Sequence, residues 1–239
     1  MPATWADDMS DDDDDVSWRP PLRSTGSRSF PARSRSSVRG FLSALLPAEE
    51  QWRQIIYESN LERQAALVLL ARPDIWNLRD QPPKVAFTDP RGRTAHHTFD
   101  YLAQFRDGTK WAIAVKPEAR VERIGFRNTL ARIRADLPRR FADEVVLVTE
   151  RNFHPAEVSN AEILHMFRMH RDPEADGIIA ELLAQGSAES RIEDVVTESG
   201  LAGRGFRAVV RAIYAGLADT DLRRRITCAT VIRRREAQP

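Results

Sequence analysis

The chain has 239 residues, 42% of them apolar, with 36 Lys and Arg against 35 Asp and Glu, so net charge implies no special partner. That length can bury a core in one domain of moderate size plus a small one, or in two small ones. The single cysteine, Cys228, excludes an internal disulfide and any zinc site built from cysteines, and no apolar run reaches the roughly 20 residues a bilayer span requires.

In chain order, residues 1–38 join a five-aspartate run, Asp11 to Asp15, to an Arg-, Ser-, Pro- and Gly-rich stretch. Such composition offers too little apolar surface to offset ordering entropy, so a disordered tail is expected. A sharper reading has the acidic run masking the basic arm or a DNA site, so that its removal would raise nonspecific DNA affinity. The opening residues lack the basic and apolar regions of a signal peptide, so export is not expected, and a cytoplasmic protein without a membrane partner is.

From Ala48 to Leu70 the apolar residues Trp52, Ile55, Ile56, Leu61, Ala65, Leu67 and Leu70 recur near helical spacing and predict one amphipathic helix carrying Glu58 and Glu62 on one face. "RPDIWNLRDQPP" breaks it. Strands follow at Lys84–Thr88, Ala95–Phe105 and Lys110–Val115, turning at "TDPRGRT" and "RDG", and they predict a meander. Arg120 to Leu137 reads as a helix, and "DEVVLVTE" as a strand of a mixed sheet. Helix, three strands, helix and strand make an α/β domain over 39–151. Over 152–239, three helical stretches and the basic-flanked "RRRITCATVIRRR" give the order of a winged helix-turn-helix, with a generic helical bundle as the alternative.

Metal-dependent phosphodiester cleavage needs acidic oxygens for a hard cation and a positive group for the water or the developing charge. One compact solution uses a helix glutamate, a strand aspartate, and an acid and a lysine two apart on the next strand, where period two points both to one face. This chain offers Glu62, or Glu58, then Asp100 and Lys116, but position 114 is alanine. The same residues have plain structural readings: Asp100 as a strand cap, Lys116 as a solvent-facing strand end, Glu62 and Glu58 as exposed helix charges.

"YESNLERQAALVLLARPDIWNLRDQPPKVAF", "HHTFDYLAQFRDGTKWAIAVKP" and "RFADEVVLVTE" resemble, in order and spacing, the TnsA-like endonuclease subunits of heteromeric DNA transposases, which are restriction-endonuclease-like nucleases. The matching positions are Glu58, Ser59, Glu62 and Arg63; Gln81 and Pro82; His97, Thr98, Asp100 and Tyr101; and Val115, Lys116 and Pro117. The resemblance covers about residues 50–151. It implies a restriction-endonuclease-like mixed sheet flanked by helices, followed by a winged-helix DNA- or partner-binding domain. It further implies magnesium or manganese held by Glu62 and Asp100, with Lys116 at the water, and Glu58, Gln81 and His97 lining the site. Such a subunit cleaves one strand of double-stranded DNA at transposon ends, beside an integrase-type transposase and an ATPase regulator. Ala114 departs from the family's Glu or Gln, so water, the Val115 carbonyl, the DNA phosphate or Glu118 would have to complete a metal shell.

Arg120, Arg123, Arg127, Arg132, Arg134, Arg139 and Arg140 crowd the segment after Lys116 and suit a duplex backbone, or pair with local acids on a solvated face. Arg204, Arg207 and Arg211 would decorate the candidate recognition helix, and Arg233 to Arg235 would flank a wing. Two rivals to the nuclease are a catalytically degenerate DNA-binding or assembly subunit, and a transcription regulator that uses only the C-terminal helices.

Overall fold

Ala48 to Leu70, expected as one helix, holds the second strand of a hairpin and a shorter helix in the computed structural model, which describes residues 19–27 and 38–235. Strand β1 (Gly40–Ala44) pairs antiparallel with β2 (Arg53–Tyr57), and α1 (Asn60–Ala71) follows. The β-branched pair Ile55–Ile56 suits a strand, and "SNLE" resets the chain into a helix. Ser59, in extended backbone, caps α1 by accepting from the Glu62 amide. The Glu62 carboxylate answers by accepting from the Glu58 amide at 2.7 Å and the Ser59 hydroxyl at 2.9 Å, a variant of the capping box. Glu58 therefore lies at the end of β2 and does not share a helix with Glu62.

Strand β3 (Ile75–Asp80) is followed by a separate hairpin of β4 (Val85–Thr88) and β5 (Thr94–His97), then by β6 (Tyr101–Phe105) and β7 (Lys110–Val115). The expected second strand of the meander is thus split at residues 98–100, and β6 joins β3 and β7 instead of β4. Next come α2 (Glu118–Arg123), α3 (Phe126–Asp136) and β8 (Glu144–Val148). The expected single helix breaks at Gly125, whose φ of 61° is left-handed and suits a residue without a Cβ. The main sheet has the order β3-β6-β7-β8, antiparallel except for the parallel β7–β8 pair, and is therefore mixed and flanked by helices.

One face of this sheet buries Ile75, Leu78, Tyr101 and Ile113 with Ala65, Ala66 and Leu70 of α1. The other buries Ala112, Ala114 and Val145 with Phe126, Leu130 and Ile133 of α3. Residues 19–27, expected within the disordered tail, lie along β2. Leu22 donates to the Trp52 carbonyl at 2.7 Å and accepts from the Gln54 amide at 2.9 Å, while Ser24 donates to the Asp80 carboxylate. Arg53, buried at 2% exposure, completes that polar layer through Glu49 at 3.1 Å, Asn77 at 2.9 Å and the Leu78 carbonyl at 2.8 Å. These bonds satisfy charges that would be costly to bury alone. The acidic run Asp11 to Asp15 lies outside the described residues.

Beyond residue 152 the chain forms α4 (Pro155–Met169), α5 (Pro173–Gln185), β9 (Glu189–Arg191), α6 (Ile192–Ser199), α7 (Gly203–Tyr214), β10 (Ala218–Asp219) and β11 (Val231–Arg234). The small sheet has the order β10-β11-β9, and Ile179, Ile192, Val209, Val210 and Ile232 form its core with the helices. Helix α4 packs against both α1 and α7. Arg63 of α1 bonds Glu162 of α4 at 2.5 Å, and Arg168 of α4 donates to the Leu70 carbonyl at 2.8 Å. Among the described residues no helix is long and apolar enough to cross a membrane.

Candidate functional site

The β2–α1 corner, the end of β3, the start of β6 and the end of β7 converge. Gln81 donates from its side chain to the Glu58 carboxylate at 3.1 Å and from its amide to the Asp100 carbonyl at 2.9 Å. The Asp100 amide donates to the Ile113 carbonyl at 2.9 Å, and its carboxylate accepts from the Val115 amide at 2.6 Å. Asp100 is thereby fixed against the strand that ends in Lys116. Buried Tyr101 donates its hydroxyl to the Glu62 carbonyl at 3.2 Å, which ties β6 to the first turn of α1.

The electrostatics link these elements further. Burial pushes the Glu62 carboxyl above the usual carboxylate range, and the neighbouring Glu58 adds to that, while the two cap bonds and Lys116 oppose it. Burial likewise raises Asp80, and it raises the Tyr101 hydroxyl with further contributions from Glu62, Asp100 and Asp80. Glu58 and Glu62 thus repel one another at the corner, and the positive charge of Lys116 opposes that. Gln81 holds a left-handed φ of 40°, a strain of about 1–3 kcal/mol for a residue with a Cβ. Its bonds to Glu58 and Asp100, and the Ser27 amide donating to its carbonyl at 2.9 Å, keep it there.

Lys116 sets its ammonium 4.8 Å from the Phe126 ring centroid, a cation–π contact, and the same ring lies 5.6 Å from the His97 ring. His97 also stacks edge-on with Phe99 at 4.8 Å, so the structure places it among aromatic rings beside Lys116. His96 is exposed on β5. The structure therefore joins Glu58, Glu62, Gln81 and Asp100 through hydrogen bonds and short backbone steps. Lys116 falls within electrostatic reach of Glu62, and His97 stands one ring away.

A hard cation takes about six oxygens or more. Glu62 and Asp100 offer two carboxylates, each already accepting a hydrogen bond, and among the described residues no group of three or more His, Cys, Asp and Glu has metal-holding geometry. Two carboxylates leave most of such a shell to water and a phosphate. Ala114 is fully buried within the layer of Phe99, Ala112 and Phe126, opposite Leu147 of β8, so a glutamate there would carry four added heavy atoms into packed apolar surroundings. Glu118 is committed elsewhere. It binds Arg127 at 2.7 Å with Arg151 at 3.9 Å, and the Arg127 bond holds its carboxyl below the usual range.

The arginines divide sharply. Arg120, Arg123 and Arg127 are exposed, although Arg127 engages Glu118. Arg204 grips Asp172 at 2.8 Å and Glu174 at 2.5 Å, which holds Asp172 well below its ordinary range. Arg211 binds Asp176 at 2.7 Å, with a side chain only 11% exposed, and Arg207 is half-buried. Arg204 and Arg211 thus fasten α7 to the acidic first turn of α5. Sequence reasoning passed over Tyr101 as a brace and the Arg53–Asp80 layer, although "SNLE" carried a readable capping signal for the corner. No family model and no curated protein matches this chain.

Proposed function

We propose that the chain is a metal-dependent DNA endonuclease subunit that cuts one strand at the ends of a mobile element. By the resemblance above, it would work beside an integrase-type transposase and an ATPase regulator. One observation carries this reading: the Asp100 carboxylate is held on the Val115 amide, one residue before Lys116, and Tyr101, one residue after Asp100, bonds the Glu62 carbonyl, so a helix, a strand start and a strand end meet. In this reading the sheet is a restriction-endonuclease-like core. The order α5, β9, α6, α7, β10, β11 supports a winged helix-turn-helix behind it.

When bound, magnesium or manganese would supply charge to the scissile phosphate and lower the pKa of a water. Glu62 and Asp100 would hold it. Lys116 orients the attacking water and offsets charge on the leaving oxygen, and the Phe126 ring fixes its position. Gln81 holds the Asp100 backbone and the Glu58 carboxylate in place, and is a positioning residue. The test is a manganese titration of residues 19–239, which keep the segment bonded to Asp80 and Gln81, with a short duplex present, for the parent and Asp100→Asn. Saturable binding that disappears in the variant is expected; no binding in the parent up to about ten millimolar sinks the metal site.

The second reading, a scaffold that binds DNA or partners without cutting, is favoured by the burial of Ala114. It predicts duplex binding with no nicking under any divalent cation, in the presence of the partner subunits.

A further inference from the structure

Asn160 of α4 is buried at 1% exposure and takes no part in the corner at Glu62. Its side chain reaches across more than sixty residues of sequence to one loop, donating to the carbonyls of Leu222 at 3.1 Å and Arg224 at 2.8 Å and accepting from the Ile226 amide at 2.9 Å. Ile226 itself is buried at 4% exposure, so the loop between β10 and β11 is nailed down at its centre. Threonine hydroxyls tighten the rest: Thr220 donates to the Val231 carbonyl at 2.9 Å, and Thr230 accepts from the Thr227 amide at 2.8 Å.

From this pinned backbone Arg223, Arg224 and Arg225 all stand exposed. Residues 219–235 hold the six arginines Arg223 to Arg225 and Arg233 to Arg235 against two acids, Asp219 and Asp221. Arg233 pairs with Glu189 at 2.8 Å, Arg235 with Asp219 at 2.7 Å and Arg224 with Asp221 at 3.6 Å, while Arg223 and Arg225 have no ion pair among the described residues. Arg224, Arg225 and Arg233 line a hollow of about 640 Å³ together with Thr220, Thr227 and Thr230. The arrangement contrasts with α7, whose Arg204 and Arg211 are neutralised by acids of α5.

We infer that the 219–231 loop, held by Asn160, is the principal DNA-backbone contact of the C-terminal half, in place of Arg204 and Arg211 of α7. This rests on the DNA-binding part of the function proposed above and not on cleavage. Guanidinium groups on a preformed loop engage phosphates without first ordering the chain, which lowers the entropic cost of binding. A duplex is the occupant because its phosphates recur along a groove at a spacing several arginines can follow. Asn160 is a positioning residue, acting through the loop backbone.

The test uses the full chain in EDTA, with fluorescence anisotropy on a short labelled duplex across salt concentrations. Changing Arg223, Arg224 and Arg225 to Gln should weaken binding about tenfold or more near 150 mM salt. It should also flatten the log–log salt slope by up to about 2.7, at about 0.9 for each phosphate no longer neutralised. Arg204→Gln should cost less than this variant. Asn160→Leu keeps every arginine, yet the salt slope should flatten well below its melting temperature, a change that reduced stability alone does not produce. If the arginine variant keeps the parent slope, or if polyglutamate of equal charge competes as well as duplex in the parent, the inference fails. Parent binding without nicking in manganese and the partner subunits would refute the nuclease reading and leave this one standing.

Discussion

Two charged regions of the molecule invert one another. At the β2–α1 corner Gln81 bridges Glu58 and the Asp100 backbone, Glu58 stands beside Glu62, and burial raises the Glu62 carboxyl. At the β10–β11 loop three arginines stand against one aspartate, and Arg223, Arg224 and Arg225 all face solvent. Each is held by polar side chains that carry none of its charge: Tyr101 and Gln81 at the corner, Asn160 at the loop. The difference teaches what each region should respond to. Half-buried charges respond to pH and to a bound cation, whereas exposed charges respond to salt.

Asp100→Asn and Lys116→Met should break the corner hardest. Nicking in the presence of partner subunits is expected to fall by about 10²–10³ in each, with thermal midpoints close to the parent's. Equal nicking in parent and variants would remove these residues from the chemistry. Ala114→Glu tests the same corner through packing. Placing a carboxylate in the Phe99–Phe126 layer should destabilise by about 2–5 kcal/mol, read as a lower urea midpoint, and restored nicking at parent stability would contradict the burial of this position.

Tyr101→Phe should cost about 1 kcal/mol by removing the bonds to the Glu62 and Ile56 carbonyls, since the ring remains and only the hydroxyl goes. The smallest effect sharpens the comparison most. Because burial raises Glu62, the folded chain keeps a proton that the unfolded chain has released. Stability therefore falls as pH rises from the ordinary carboxylate range through Glu62's own titration. Glu62→Gln should remove that part of the slope, with Asp80, raised for the same reason, leaving a residue of it. Urea midpoints from about pH 4 to about pH 7 decide it: identical slopes in both proteins would mean that Glu62 is not desolvated.

Lys116 was legible as a strand end after "RDG", whereas Asp100 was expected inside a strand over 95–105 and lies instead in the break before β6. The β2–α1 boundary was not legible, since Trp52, Ile55 and Ile56 fit helical spacing as well as a strand, and only the Ser59–Glu62 capping pair distinguished them. Strand β3 was hidden by a bulge between Ile75 and Asn77, which puts buried Ile75 and Leu78 three apart and erases the alternation a strand should show. Asn160 gave no sequence signal at all, because its partners lie 62 to 66 residues away.

Helix α4 carries one more consequence. Asn160, which fixes the basic loop, and Glu162, which bonds Arg63 beside Glu62, are two residues apart on it. A single turn of helix thus works as a caliper whose jaws are the arginine loop and the acidic corner. If the proposed function holds, the offset between the phosphate gripped at the loop and the phosphate cut at the corner would be set by α4.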